Sequence, residues 1–297
     1  MTNAPAIEAF FDRDTYTVSY LVADPATGLA AVIDPVLDFD PASGEIRSTS
    51  ADRIMGLARD RGWRIAMVLE THVHADHLTA AHYIRAATGA WVGIGEHVCD
   101  VQQTFRPVFA LHDLEPDGAD FDRLFADGAR VPLGAFEIEV MHTPGHTSAC
   151  VSYRIGDAVL VGDTLFMPDY GTARTDFPGG DARTLYRSIR RILSLPDETR
   201  LFVCHDYKAP GRDEFAWETT VAAERRHNLH VHDGVGEDEF VAMRTARDAT
   251  LAAPRLLLPS IQVNIRAGRL PDPAENGARF LVIPLKLRME AEAALDA

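Results

Sequence analysis

Three histidines and an aspartate fall within seven residues of this chain, in THVHADH at 71–77. Imidazole is the commonest biological metal ligand, and carboxylate is its usual anionic partner. Residues two apart in an extended stretch point the same way, so His72, His74 and Asp76 can converge while His77 faces a neighbouring position. Three later stretches supply the same residue types. HTPGHTS carries His142 and His146, VGDTLF carries Asp163, and VCHDY carries His205 and Asp206. Histidine and aspartate without cysteine suit zinc or iron, and the set leaves coordination positions open for catalysis. Two histidines and one carboxylate on one face is the pattern of oxygen-activating non-haem iron. More than four ligands could instead hold two zinc ions. Spacing alone leaves both open.

A lone histidine is more often a surface or satisfied core residue than a ligand. That reading covers His82, His97, His112, His227, His230 and His232, and it suits His142 as a strand residue before a turn. What sets the others apart is their position, because each group follows an apolar run that reads as a strand. IAMVL at 65–69 precedes the histidine cluster, and FEIEVMHT at 136–143 alternates as a half-buried strand should. CVSYRIGDAVLVGD at 150–163 predicts a hairpin about Gly156-Asp157, and RLFVCHDY predicts a buried strand ending at His205.

The remaining pattern fills in the layers. TYTVSYLV and LAAVIDPV predict a hairpin over 15–22 and 29–36, and WVGIG predicts a further strand. Helices are expected over 51–62, with Gly62 as stop, and over 78–88, with Gly89 as cap. Another is expected over 184–195, with Asp181 as N-cap. Residues 99–128 are acidic and turn-rich and read as a loop with short helical pieces. From about residue 236 the composition changes. DEFVAMRTARDATL reads as a helix, LLLPSIQVNIRAGRLPDP as proline-bounded and irregular, and EAEAALDA as a weak terminal helix. The order predicts a layered α/β sandwich with its site on loops at one sheet edge.

Bulk composition narrows the function. With 29 Lys+Arg against 44 Asp+Glu, the net charge of −15 would be repelled by phosphate backbones, which argues against general nucleic-acid binding. An anionic substrate would need local arginines or a metal to hold it. The N-terminal stretch lacks a secretory pattern, and no apolar run reaches membrane-spanning length. Cys99, Cys150 and Cys204 form no CxxC pair, read as buried small side chains, and suit a reducing compartment. The expectation is a cytoplasmic protein with no membrane partner.

THVHADH, HTPGHT, VGDTLF and CHDY, in this order, resemble the metallo-β-lactamase fold superfamily over about residues 10–230. YGTARTDFPGGDARTLYRSI followed by CHDYKAPG resembles its persulfide dioxygenase branch, closest to the bacterial β-lactamase hydrolase-like group, and the tail PSIQVNIRAGRLP resembles that group too. The resemblance implies an α/β (α+β) fold, a four-layer αββα sandwich. Residues 1–235 would form the catalytic domain and 236–297 a short extension packed on it. It implies one Fe(II) per chain, held by His72, His146 and Asp163, with His74, Asp76, His77 and His205 as outer-shell or second-metal residues. Arg174, Tyr207 and Thr147 match the family's glutathione site. A guanidinium suits that role, because it can hold a carboxylate with two hydrogen bonds. The implied reaction is oxidation of glutathione persulfide by O2 to sulfite and glutathione, and the implied assembly is a homodimer. The alternatives are a dinuclear zinc hydrolase of glutathione thioesters, for which all seven superfamily ligand positions are present, and a non-catalytic metal-bearing module. Two features depart from the mammalian-type members: the longer segment over 99–128, and Thr172 where those members carry a cysteine.

Overall fold

The computed structural model describes residues 4–286. Strands β1 (Ala6–Phe11), β2 (Val18–Asp24), β3 (Leu29–Ile33), β4 (Val36–Asp40) and β5 (Glu45–Arg47) lead into helix α1 (Thr49–Asp60). Then come β6 (Arg64–Leu69), β7 (Leu78–Thr79), α2 (Ala81–Thr88), β8 (Trp91–Gly95), α3 (Val98–Phe105) and β9 (Arg123–Phe125). The second half holds β10 (Arg130–Leu133), β11 (Phe136–His142), β12 (Val151–Ile155), β13 (Ala158–Leu160), α4 (Ala182–Ile192), β14 (Arg200–Phe202) and β15 (Glu218–Thr220). Helices α5 (Val221–His227), α6 (Glu237–Asp248) and α7 (Leu257–Asn264) follow.

Two six-stranded sheets, ordered β1-β2-β3-β6-β8-β9 and β10-β11-β12-β13-β14-β15, carry the fold, with β5-β4-β7 as a small third sheet. Their apolar residues sort into three cores. Val22, Ile33 and Leu69 of the first sheet meet Val140, Tyr153 and Leu160 of the second, and this is the layer between sheets. The outer face of the first sheet buries Ile54 of α1 and Ile84 of α2. The outer face of the second buries Leu185 and Ile189 of α4 and Phe240 of α6. The layering is therefore helix, sheet, sheet, helix, the αββα sandwich expected. Burying a Leu or Ile side chain contributes about 1.5–3 kcal/mol, so the three cores supply the main drive to fold.

The expected hairpins form as antiparallel pairs, β2 with β3 and β12 with β13. Gly89 ends α2 at φ +75°, and Asp181 caps α4 by accepting from Thr184 N at 2.7 Å. Four expectations need correction. The strand expected over 29–36 breaks at Asp34, whose φ of +49° turns the chain from β3 into β4 of another sheet. Leu78 and Thr79 pair as β7 with β4, so the following helix begins at Ala81. The acidic 99–128 segment holds the short helix expected there, α3, but also an unexpected edge strand, β9. The proline-bounded tail contains α7, because Pro259 stands in its first turn, where a missing N–H costs nothing. The helix expected over 290–297 lies outside the described residues. Among those described, no helix is long and apolar enough to cross a membrane.

Candidate metal centre

Four strand ends meet at one edge of the sandwich. The loop after β6 brings Thr71 to His77, and the turn between β11 and β12 brings His146. Asp163 sits in a short 3-10 turn after β13, and His205 follows β14. Local geometry explains two of the glycines. Gly162 has φ +53°, and a Cβ there would lie 2.7 Å from Thr71 Oγ1. Gly145 of PGHT has φ +136°, and a Cβ would lie 2.3 Å from the backbone of α4. Both let a turn next to His146 or Asp163 approach a neighbouring element closely.

His72, His146 and Asp163 converge, each offering one ligand atom within 4.8 Å of the others. Asp163 Oδ2 lies 3.9 Å from His72 Nε2 and 3.6 Å from His146 Nε2. Hydrogen bonds set the ring tautomers. His146 Nδ1 lies 2.8 Å from the Arg174 carbonyl, which can only accept, so Nδ1 carries the proton and Nε2 keeps its lone pair. Thr71 Oγ1 donates to Asp34 Oδ2 at 2.8 Å, so it accepts from His72 Nδ1 at 3.0 Å, again freeing Nε2. Asp163 Oδ1 is buried with no hydrogen-bond partner. Three basic atoms thus face one point, one of them on a carboxylate left half unsatisfied, and this arrangement fits a metal cation. Burial, reinforced by neighbouring His74 and His146, holds the His72 pKa well below the usual histidine value, which keeps it neutral and able to ligate.

His74 does not join that group. Its ring lies beside that of His72, with centroids 4.0 Å apart, but its Nε2 turns to Asp34 Oδ1 at 3.0 Å and Glu70 Oε2 at 3.5 Å. The loop is not an extended strand, and the ring sits at ion-pair distance from two buried carboxylates, with neither of its nitrogens hydrogen-bonded among the described residues. Burial pulls the His74 pKa down, but Asp34 and Glu70 override it and hold it well above the usual value. Asp76 Oδ2 lies 3.1 Å from His77 Nδ1 and 3.5 Å from His205 Nε2. His205 Nε2 also lies 3.4 Å from Asp163 Oδ1. Asp206 turns away to a two-pronged pair with Arg212, and His142 bonds the Ser148 carbonyl at 2.9 Å.

A cleft of about 350 Å³ opens onto His146, Asp163, Asp76 and His205. Phe166, Tyr170, Phe177 and Tyr207 form apolar walls, and Thr172 and Arg174 also line it. Tyr207 stacks on His205, with centroids 5.5 Å apart. Arg174 is bound on both prongs by Asp176 at 2.6 Å, which neutralises much of its charge. Thr147 is not part of the wall, since its hydroxyl faces Cys150 Sγ at 3.1 Å. Sequence reasoning missed Asp34, Glu70, Arg247 and Arg255. The last two line the cleft from the far end of the chain, and among the described residues neither stands in an ion pair. Their signal was faint: two arginines beside an apolar LAAP stretch in an acidic chain. Asp34 ends the apolar run AAVI, the same strand-end position as the ligands.

Residues 12–205 match the Metallo-beta-lactamase superfamily. The chain belongs to that superfamily. A probable metallo-hydrolase of Burkholderia pseudomallei is 55% identical, covering 94% of this chain and 98% of that protein. A beta-lactamase hydrolase-like protein of Xylella fastidiosa is 50% identical over 95% of this chain, which spans only 65% of that relative's length. The human mitochondrial persulfide dioxygenase ETHE1 is 26% identical, with 88% of each chain covered. Among solved structures, ETHE1 from Myxococcus xanthus superposes with a TM-score of 0.71 at 32% identity, covering 89% of this chain and all (100%) of that one. The chain thus has the superfamily fold and a cluster of histidine and aspartate able to hold a metal ion.

Proposed function

We propose that this protein is an Fe(II)-dependent persulfide dioxygenase acting on glutathione persulfide. One observation carries the reading. His72, His146 and Asp163, two histidines and one carboxylate, form one convergent group that leaves out His74, whose Nε2 lies 3.0 Å from Asp34 Oδ1. A facial set of that composition with open positions is the mark of non-haem Fe(II) oxygenases. The relative named as a persulfide dioxygenase and the ETHE1 structure support it. The balanced reaction joins glutathione persulfide, O2 and water to give glutathione, sulfite and two protons. Ferrous iron in the triad would supply the redox chemistry between the terminal sulfur and dioxygen.

The chain's own residues bind and orient. Phe166, Tyr170 and Phe177 enclose the cleft and limit water. Arg247 and Arg255, which stand in no ion pair among the described residues, offer cations for the carboxylates of glutathione, alongside Arg174 and Tyr207. His205 lies 3.4 Å from Asp163 Oδ1 and 3.5 Å from Asp76 Oδ2, close enough to act on the carboxylate through charge. We place the protein in the cytoplasm, where three unbridged cysteines stay reduced, and expect a homodimer.

The second reading is a dinuclear zinc hydrolase of glutathione thioesters. It is favoured by His77 Nε2, buried with no hydrogen-bond partner, as a ligand to a second ion would be. It is favoured too by His74, Asp76 and His77, which offer ligand atoms within 4.8 Å of one another, and disfavoured because His205 does not join them among the described residues. The test is metal content of protein purified without added metal, then O2 consumption with glutathione persulfide after anaerobic Fe(II) loading. One iron per chain and persulfide-dependent O2 uptake are expected. Two zincs per chain with thioester hydrolysis and no O2 uptake would replace this reading with the second.

A further inference from the structure

The loop from Thr71 to His77 has irregular backbone, and beyond the Thr71 carbonyl, which accepts from Val151 N at 2.9 Å, its carbonyls lie outside any strand ladder, yet His72, His74 and His77 are buried. Buried carbonyls without partners cost free energy. Two of them are met by one side chain from far along the chain. Asn264, the last residue of α7 and 3% exposed, donates from Nδ2 to His74 O and to His77 O, each at 2.8 Å. Its Oδ1 accepts from Thr79 N at 2.8 Å. The amide has only one consistent orientation, because carbonyl oxygens accept and backbone N–H groups donate. Two donors and an acceptor in one plane is what a carboxamide offers. Aspartate has no donor, and serine has too few.

The same segment grips the other side of the cleft. Arg244 donates to Thr172 O at 3.1 Å. Asp248 Oδ2 accepts from Thr175 N at 2.8 Å and from Thr175 Oγ1 at 3.0 Å. Between those two anchors lies the Arg174 carbonyl, the acceptor of the His146 Nδ1 proton. Arg244 and Asp248 are both buried and paired at 2.6 Å, so neither is free to move alone.

We infer that residues 244–264 form a positioning frame for the metal ligands. Asn264 fixes the loop that bears His72, and the Arg244–Asp248 pair fixes the carbonyl that orients His146. These are positioning residues, since none of them reaches the convergence point of the triad. The inference rests on the reading of His72, His146 and Asp163 as ligands, and it is independent of whether the reaction is oxidation or hydrolysis.

The test uses the full chain stripped of metal, titrated anaerobically with Co2+ and followed by its visible ligand-field absorption. Asn264→Ala, Asn264→Asp and Asp248→Asn are compared with Gln262→Ala. Gln262 is equally buried on the same helix at 4% exposure, but its amide bonds Val282. Asn264→Ala and Asp248→Asn are expected to weaken Co2+ binding about 10–100-fold and to shift the absorption bands. Asn264→Asp should be worse than Asn264→Ala, because a carboxylate would face two carbonyl oxygens. Gln262→Ala should lower Tm and leave Co2+ binding unchanged. If Asn264→Ala does not fold, Asp248→Asn decides alone, because it acts on a different loop. Folded variants that bind Co2+ with wild-type affinity and spectrum would overturn the frame. A wild type that binds no Co2+ would instead refute the ligand triad.

Discussion

His74 Nε2 lies 3.0 Å from Asp34 Oδ1, deep in the edge of the sandwich and turned from the point where His72, His146 and Asp163 meet. The Asp34 carboxylate does more than hold one ring. It also accepts from Thr71 N at 2.7 Å and from Thr71 Oγ1 at 2.8 Å, and Thr71 Oγ1 in turn fixes the tautomer of His72. The charge on Asp34 therefore draws the His74 ring away from the His72–His146–Asp163 group and, through Thr71, leaves Nε2 of His72 free. Burial raises the carboxyl pKa, but His74 and the Thr71 donors override it and keep Asp34 below the usual range, hence ionised.

This arrangement predicts unequal effects within the motif. His72→Ala, His146→Ala and Asp163→Ala should each abolish stoichiometric metal binding. His74→Gln, which keeps a donor for Asp34, should retain one metal per chain with affinity lowered no more than about 100-fold. Elemental analysis of each purified variant checks this. Loss of metal from His74→Gln as complete as from His72→Ala would place His74 in the coordination sphere.

The cleft arginines should govern affinity more than turnover. Arg247→Ala and Arg255→Ala remove cations that no acid neutralises among the described residues, whereas Arg174 is already bound to Asp176. Each should raise KM for glutathione persulfide by roughly 10-fold with little change in kcat, the pattern of lost ground-state binding. A persulfide lacking carboxylates should show no such difference between variant and wild type. Steady-state kinetics on both substrates decide it. A larger KM effect from Arg174→Ala would move the anchor there.

Glu224 should make stability fall as pH rises. Burial raises its carboxyl to about 8, while Asn228 Nδ2 donates to it at 2.6 Å. In the unfolded chain the same group ionises near pH ~4.3. Between those values the folded protein binds a proton that the unfolded chain has released. Its contribution is therefore complete below the unfolded value and is lost as pH climbs to about 8. Glu224→Gln, which cannot ionise, removes that dependence, a difference on the order of a few kcal/mol across the window. Urea midpoints at acidic and alkaline pH measure it. Parallel wild-type and variant curves would show that Glu224 stays ionised in the fold.

Much of this was legible along the chain because local rules produce it. Apolar runs of strand length, Asp181 before an amphipathic stretch and Gly89 after one report structure within a few residues of themselves. The residues that meet at the sheet edge were legible for the same reason, since each follows such a run. The edge strands β1 and β15 were not, because an edge strand is fixed by its partner across the sheet and not by its own pattern. Helix α7 was hidden by Pro259, whose usual breaking effect vanishes in a first turn.

By itself, the sequence determined the layered fold, the superfamily and the seven residues from which a metal site could be drawn. Which of the seven face one another was decided by tertiary structure. His72 and His74 are two positions apart and chemically identical. They differ because Asp34, from β3's end, lies beside one ring, and because His146 and Asp163, from the other sheet, lie beside the other. The cations of the cleft and the amide of Asn264 arrive from nearly 200 residues downstream of His72, as the 190-residue span from His74 to Asn264 illustrates. Hydrogen bonds and ion pairs depend on distance in space, and only the folded sandwich brings those distances down to about 3 Å.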